Sequence, residues 1–272
     1  GVVAMASSTD TMGCFAKSAD DIALVTSVMA GRDSRDMTTL PDYFEVQHDV
    51  SKNLRIGIIR ETMTDDVDTD VRAAVNNYAD ALRAAGHTVE MVAMPSIKHA
   101  LAIYYIVVPA EISSNLARYD GVRYGRRAEG VKTLAELYGR SRGEGFVTEN
   151  KRRIMIGSYV LSSGFFDAYY LQAQKARTVL INEFNTLFEQ YDFLLMPTAP
   201  TPAFGIGENA DDPVKMYLAD VMTVPPSLAG LPALSVPAGV NAQGLPIGAQ
   251  LVGRAKSDAA LIALAGSMEA RA

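Results

Sequence analysis

LRIGIIR (residues 54–60), TDVRAAVNNYADALRAAG (69–86) and HTVEMVAM (87–94) together decide the fold class of this chain. The first segment is a short apolar strand. The second has the amphipathic spacing of a helix that ends at Gly86, and the third alternates as a strand does. A strand, a helix and a second strand in close succession form a βαβ unit, in which the two strands run parallel. The pattern therefore predicts an α/β protein.

The last part of the chain predicts two further strands. ALSVPAG (233–239) and PIGAQLVG (246–253) are joined by VNAQGL, a hairpin-like connection that contains Gly244. Upstream of them, DFLLMPTAPTPAFG (192–205) is typical of a buried strand that runs into a rigid, proline-rich loop. Strand ends of this kind are where α/β proteins usually bind their ligands.

The remaining segments predict helices and one turn. Ser18 and Asp21 form a capping box for a helix that Gly31 closes, and Ser257 caps a final helix. The middle of the chain, 96–190, is mostly helical in pattern, and 165–191 is its longest helix candidate. The N-terminal residues 2–5 are apolar, as in a strand, and the polar residues 7–10 predict a turn.

Composition and charge are those of a soluble globular protein. Of the 272 residues, 49% are hydrophobic, and the net charge is −6, which argues against a protein that coats nucleic acid. The segment 118–153 departs from this balance, because ten Lys and Arg stand there against five Asp and Glu. It is either a solvated, ion-paired helix surface or a surface that faces RNA or an acidic partner.

Cysteine and histidine usage argues against a disulfide and a metal site. The single cysteine, Cys14, cannot form an internal disulfide and fits a reducing compartment; we expect it to be a small core residue. His48, His87 and His99 lack the spacing of metal ligands. No apolar run reaches the roughly 18 residues that a membrane span needs.

The usual catalytic motifs are absent from the sequence. It contains no G-x-S-x-G turn, no G-x-x-x-x-G-K-[ST] phosphate loop and no G-x-G-x-x-G after a strand. The SSG at 162–164 could expose a nucleophilic serine, but nothing nearby supplies a base. It is interpreted instead as a helix interruption.

Three polar residues are candidates for binding. One of the adjacent Arg152 and Arg153 must point inward, where its guanidinium needs a carboxylate from the protein or from a substrate. Asp220 precedes a proline-rich apolar segment, where it could hold an ammonium group or cap the next turn. Tyr104 could line a pocket or be a core aromatic with a hydrogen-bonded hydroxyl.

These segments resemble one family. SLAGLPALSVPAG (227–239) followed by LPIGAQLVG (245–253) resembles the closing hairpin of the amidase signature enzymes. AEISSNLARYDGVRYGRR (110–127), MPTAPTPAFGIGE (196–208) and the long segment 136–180 resemble the branch of that family formed by the A subunits of tRNA-dependent amidotransferases. The likeness runs from Gly1 to the final helix. It implies the C-terminal portion of the amidase signature fold, a mixed sheet flanked by helices.

The resemblance implies glutamine hydrolysis that supplies ammonia. A partner subunit uses that ammonia, with ATP and magnesium, to amidate mischarged Glu-tRNA(Gln) or Asp-tRNA(Asn). It also implies subunits B and C as partners, tRNA contacts mainly through the partner subunit, and a cytoplasmic location.

The resemblance also assigns roles to the three binding candidates. Arg153 matches the arginine that binds the α-carboxylate of glutamine, Asp220 the residue that pairs with the α-ammonium, and Tyr104 a tyrosine of the same pocket. The alignment could shift each of two assignments by one residue, to Arg152 and to Tyr105. Some positions depart from the family pattern without removing any of these polar groups: Val147, Phe165, Phe166 and Ala249.

The family's nucleophile is a serine that a lysine activates through a second serine. Neither that lysine nor the Gly-Ser-rich loop occurs in these 272 residues. We therefore expect residues 1–272 to be a single partial amidase signature domain that carries no catalytic residue and is inactive alone. The alternatives are an amidase signature hydrolase of small or fatty amides, and a mainly structural segment that binds partner subunits.

Overall fold

The computed structural model describes residues 2–41, 44–47, 50, 53–209 and 212–269. The chain divides into two compact units. We call Gly1–Thr11 with Ala102–Thr178 the helical unit, and Met12–Leu101 with Val179–Ala272 the sheet unit. His48 lies outside the described residues. The assignment of residues 1–272 to a single domain stays a prediction.

The sheet unit contains a five-stranded mixed sheet in the order β2-β1-β3-β5-β4. β1 pairs in parallel with β2 and with β3, while β5 pairs antiparallel with β3 and with β4. This arrangement confirms the predicted α/β class, the βαβ unit and the closing hairpin. The strands are β1 (Arg55–Ile59), β2 (Thr88–Val92), β3 (Phe193–Pro197), β4 (Ala233–Val240) and β5 (Pro246–Gly253).

The helices of the described residues follow the predicted order. The segment 165–191 begins with a π-helical stretch, Phe166–Leu171, before it becomes an α-helix. The α-helices are α1 (Ala19–Met29), α2 (Thr69–Ala84), α3 (Ala100–Leu116), α4 (Leu134–Gly145), α5 (Thr148–Val160), α6 (Gln172–Leu187), α7 (Pro213–Leu218), α8 (Val224–Ala229) and α9 (Asp258–Glu269). In the described part of the chain, no helix is both long and apolar enough to cross a membrane.

The core of the sheet unit lies between the sheet, α2 and α9. All five residues of β3 are buried, which explains why this strand reads as a continuous apolar run rather than an alternating one. α2 turns one stripe toward the sheet, including Val75, Ala79 and Leu82, each fully buried. From α9, Leu261 and Leu264 pack into the same cluster.

The N-terminal segment differs in part from its prediction. Residues 2–4 form no strand, and the side chains of Val2 and Val3 are 74% and 54% exposed. The predicted turn is confirmed, because the Asp10 carboxylate accepts hydrogen bonds from the backbone N–H groups of Met5 (2.7 Å) and Ala6 (3.0 Å). Cys14 is half-buried, so its placement in the core was wrong.

Tyr78 offers a test of packing in the sheet unit. Its hydroxyl is buried and has no hydrogen-bond partner among the described residues, and burial raises the pKa of Tyr78 well above its usual range. An unsatisfied buried hydroxyl costs free energy. We expect Tyr78→Phe to raise the free energy of unfolding by about 1 kcal/mol in urea denaturation.

The matched control is Tyr191→Phe. The Tyr191 hydroxyl donates to Glu90 Oε1 at 3.1 Å, so removing it should not stabilise the protein. If Tyr78→Phe and Tyr191→Phe changed the free energy of unfolding equally, the unsatisfied hydroxyl of Tyr78 would not be the cause.

Candidate functional site

Arg153 lies on α5 in the helical unit, where Glu149 holds it. The Arg153 Nε donates to Glu149 Oε1 at 2.9 Å, and the other carboxylate oxygen, Oε2, lies 2.7 Å from Nη1 of Arg152. The Arg153 side chain is 23% exposed and that of Arg152 is 44% exposed. Of the two adjacent arginines, Arg153 is therefore the one that points inward, and its protein partner is a carboxylate one helical turn away.

Tyr104, on α3, is the aromatic neighbour of this guanidinium. Burial acts to lower the pKa of Arg153, but the hydrogen bond to Glu149 and the adjacent Tyr104 raise it, and the net shift is upward. The guanidinium therefore stays charged. Tyr104 packs edge-on against Tyr105, with ring centroids 5.2 Å apart, and contacts the cluster around Val108 and Ile112. The structure thus brings Tyr104 and Arg153 together.

A close crossing of α3 and α5 accounts for this meeting. Gly157 lies against the backbone of Pro109, and a Cβ built on it would overlap the Pro109 carbonyl oxygen and lie 2.6 Å from Ser113 Cβ. Only glycine allows the two helix backbones to approach so closely. Arg153 lies one helical turn before Gly157, so it faces the same neighbouring helix.

A different face of α3 from the one that meets α5 holds the N-terminal segment of the helical unit. Glu111 Oε2 accepts from the backbone N–H of Ser8 at 2.9 Å, and the Asn115 side-chain amide donates to Ser7 Oγ at 2.9 Å. Arg177 donates to Ser8 Oγ at 2.8 Å. Residues 5–10 are therefore fixed by side chains from two helices rather than by strand pairing.

Asp220 belongs to the sheet unit and is exposed. Its backbone carbonyl accepts from the N–H groups of Thr223 and Val224, each at 3.1 Å, so the residue lies in the turn between α7 and α8. The following residues, Val221 and Met222, line a cleft of about 880 Å³.

This cleft lies where α/β sheets commonly bind ligands. β2 lies on one side of β1 in the sheet. The chain then crosses from β2 to β3, which lies on the other side of β1. The carboxyl ends of β1 and β3 therefore form a topological switch point. Segments that follow all three parallel strands line the cleft. Glu61, Asp66 and Lys98 give it charges of both signs, and the uncharged residues 200–204 line it after β3.

The chemistry available in the helical unit is carboxylate binding. The Arg153 guanidinium lies beside Tyr104, and its contact with Glu149 uses Nε rather than the two terminal nitrogens. A guanidinium can bind a carboxylate through two parallel hydrogen bonds. Across the described residues, His, Cys, Asp and Glu form no group of three or more that could hold a metal ion.

Comparison with known proteins identifies the family. The family model described as Amidase matches residues 1–262. The chain belongs to the amidase family. This assignment and the mixed sheet together confirm the predicted fold class.

Several curated relatives of this chain carry the same name. The A subunit of glutamyl-tRNA(Gln) amidotransferase from Granulibacter bethesdensis is 51% identical over 99% of the chain and 55% of its own length. The protein of the same name from Brevibacillus brevis is 48% identical over 99% of the chain and 56% of its own length. The amidase chain spans about half the length of the curated relatives that it matches.

A solved structure extends the comparison to the fold. The crystal structure of the glutamyl-tRNA(Gln) amidotransferase A subunit from Thermotoga maritima matches with a TM-score of 0.75 and 34% identity. The match covers 96% of this amidase chain and 52% of the other. The crystal structure of an amidase matches the fold with a TM-score of 0.74 at 22% identity, over 100% of this chain and 55% of the other.

Sequence reasoning singled out Arg153 and Tyr104, which the structure brings together, but it did not name Glu149 or Gly157. The Glu149 contact was predictable, because residues four apart on a helix are neighbours and Glu149 precedes Arg153 by four. Nothing in the local sequence indicated the role of Gly157, because that role depends on which backbone segment lies opposite it in the fold. The Ser162–Gly164 helix interruption is confirmed, because α5 ends at Val160.

Proposed function

We propose that this amidase chain is the substrate-recognition part of the A subunit of a tRNA-dependent amidotransferase. The whole protein hydrolyses glutamine to supply ammonia, which is used to amidate mischarged Glu-tRNA(Gln) or Asp-tRNA(Asn). The observation that carries the proposal is the identity of 51% and 48%, over 99% of the chain, to the A subunits of two glutamyl-tRNA(Gln) amidotransferases.

In this proposal each candidate residue binds one part of glutamine. Arg153 binds the α-carboxylate through the planar guanidinium, Asp220 pairs with the α-ammonium, and Tyr104 lines the pocket beside Arg153. The contact between Arg153 Nε and Glu149 supports the first assignment, because it does not use the two terminal nitrogens, which suit a ligand carboxylate. No residue of these 272 takes the role of nucleophile.

The partners follow from the same assignment. We expect subunits B and C to complete the enzyme, and we expect the partner subunit to use ATP and magnesium and to make most tRNA contacts. We place the complex in the cytoplasm. The basic segment 118–153 would face one of these subunits, although ion pairs already occupy part of it: Glu144 lies 3.2 Å from Arg126 and 3.0 Å from Arg140.

The proposal predicts different activities for the full-length protein and for this chain. The full-length protein, purified with its partner subunits, should release ammonia from glutamine and amidate Glu-tRNA(Gln) or Asp-tRNA(Asn) in the presence of ATP. The 272-residue chain alone should release none, because it has binding groups but no serine–serine–lysine centre to form an acyl-enzyme. Ammonia release, measured with a coupled assay, checks both.

Two outcomes would contradict this proposal in different ways. If the full-length protein hydrolyses small or fatty amides but ignores glutamine, it is a different amidase. If the isolated chain releases ammonia and a serine-directed reagent stops that release, the chain contains a nucleophile that the proposal denies.

A further inference from the structure

We propose that Glu149 is a positioning residue for Arg153, holding its guanidinium so that the remaining donors bind the α-carboxylate of the substrate. This inference rests on the proposed function, since it concerns how the same carboxylate site is built. Glu149 itself does not touch the substrate; it acts through Arg153.

The hydrogen-bond geometry supports this division of roles. Glu149 accepts from Nε of Arg153 at 2.9 Å, so the contact uses the donor closest to the side-chain stem. A guanidinium has five N–H donors, and four of them are on the two terminal nitrogens. The Glu149 contact leaves those four for Tyr104 and a ligand, while it restricts rotation of the long arginine side chain.

The position of Glu149 on α5 makes the arrangement rigid. Glu149 and Arg153 lie on consecutive turns of one helix, and Glu149 stands in its first turn. A carboxylate is favoured there by the partial positive charge of the helix N-terminus. α5 is in turn fixed against α3 at Gly157 and Pro109, so the guanidinium is held beside Tyr104.

The donor geometry of Arg153 gives the site selectivity. Glu149 accepts from Nε, and this contact does not use the two terminal nitrogens of the guanidinium. Two parallel N–H donors suit a ligand carboxylate in that position. A substrate amide that lacks a carboxylate makes no such pair of hydrogen bonds with Arg153.

The test measures glutamine hydrolysis by the full-length protein with its partner subunits. Glu149→Ala should raise the KM for glutamine about tenfold with kcat nearly unchanged, because one charge-assisted hydrogen bond that orients Arg153 is lost. Glu149→Gln, whose amide oxygen can still accept from Nε, should have a KM for glutamine much closer to that of the wild type. Hydrolysis of an amide without a carboxylate should be unaffected in both variants.

Two glutamates provide matched controls. Glu144 also bridges two arginines, Arg126 and Arg140, and Glu136 is also a first-turn carboxylate, on α4. Glu144→Ala and Glu136→Gln should leave the KM for glutamine unchanged. If they raise it as much as Glu149→Ala does, the effect is general loss of stability and the inference is wrong.

A fifth variant, Arg153→Ala, separates this inference from the proposed function. If Arg153→Ala raises the KM for glutamine while Glu149→Ala and Glu149→Gln do not, Arg153 binds substrate without help from Glu149 and the inference fails. If Arg153→Ala itself leaves the KM unchanged, the proposed carboxylate site fails instead.

Discussion

Arg153→Ala in the full-length protein is expected to lower kcat/KM for glutamine about a hundredfold, mostly through KM. The substitution removes a charged donor that the ligand's carboxylate would meet in a half-buried site. Hydrogen bonds to charged groups contribute about 1.5–3 kcal/mol, and each 1.36 kcal/mol is about tenfold in rate. Steady-state kinetics with glutamine measures the effect.

Two comparisons make the Arg153 result specific. Arg153→Lys keeps the charge but loses the planar pair of donors, so it should lie between the wild type and the alanine variant. Arg140→Ala removes a half-exposed arginine of α4 that pairs with Glu144, and it should change kcat/KM little. If Arg153→Ala lowered kcat/KM equally for an amide that has no carboxylate, Arg153 would stabilise the fold rather than bind the substrate.

Gly157→Ala is expected to lower the free energy of unfolding by about 3 kcal/mol and to impair glutamine binding as well. The new methyl group would overlap the carbonyl oxygen of Pro109 and approach Ser113 Cβ to 2.6 Å. Because the obstacle is backbone, it cannot move aside as a flexible side chain would. α3 and α5 must separate, and Arg153 then moves away from Tyr104. Urea denaturation and the KM for glutamine report the two effects.

Gly139→Ala is the control for this prediction. Gly139 lies in α4 with no atom within 4 Å of a Cβ built on it, so the substitution meets open space. Alanine is favoured over glycine in a helix by about 1 kcal/mol, so the variant should be as stable as the wild type or more stable. A comparable loss of stability in both variants would mean that the crossing at Pro109 is not the cause.

The geometry around the candidate binding residues was predictable from the sequence only in part. Two adjacent arginines before an apolar run implied that one of them points inward and needs a carboxylate. The pattern left open whether that carboxylate comes from the protein or from a substrate. The structure places Glu149 on Nε of Arg153, and that contact does not use the terminal nitrogens, which suit a ligand.

The N-terminal segment shows where local pattern misled. Four apolar residues at the start favoured a strand, yet Val2 and Val3 are largely exposed, and residues 5–10 are held by α3 and by Arg177. A strand needs a neighbour with free backbone groups, and local sequence does not specify that neighbour. The turn was predictable because the Asp10 carboxylate satisfies backbone N–H groups only four and five residues away.

The sequence by itself determined the elements of this protein and their local pairing. Hydrophobic periodicity defined β1, α2 and β2, turn residues defined the hairpin of β4 and β5, and spacing along one helix placed Glu149 beside Arg153. Each of these depends on residues that are near one another in the chain. Tertiary structure alone decided that Gly157 meets Pro109, and hence that Arg153 meets Tyr104. Such a contact depends on how two helices cross, and that crossing is set by the packing of residues from distant parts of the sequence.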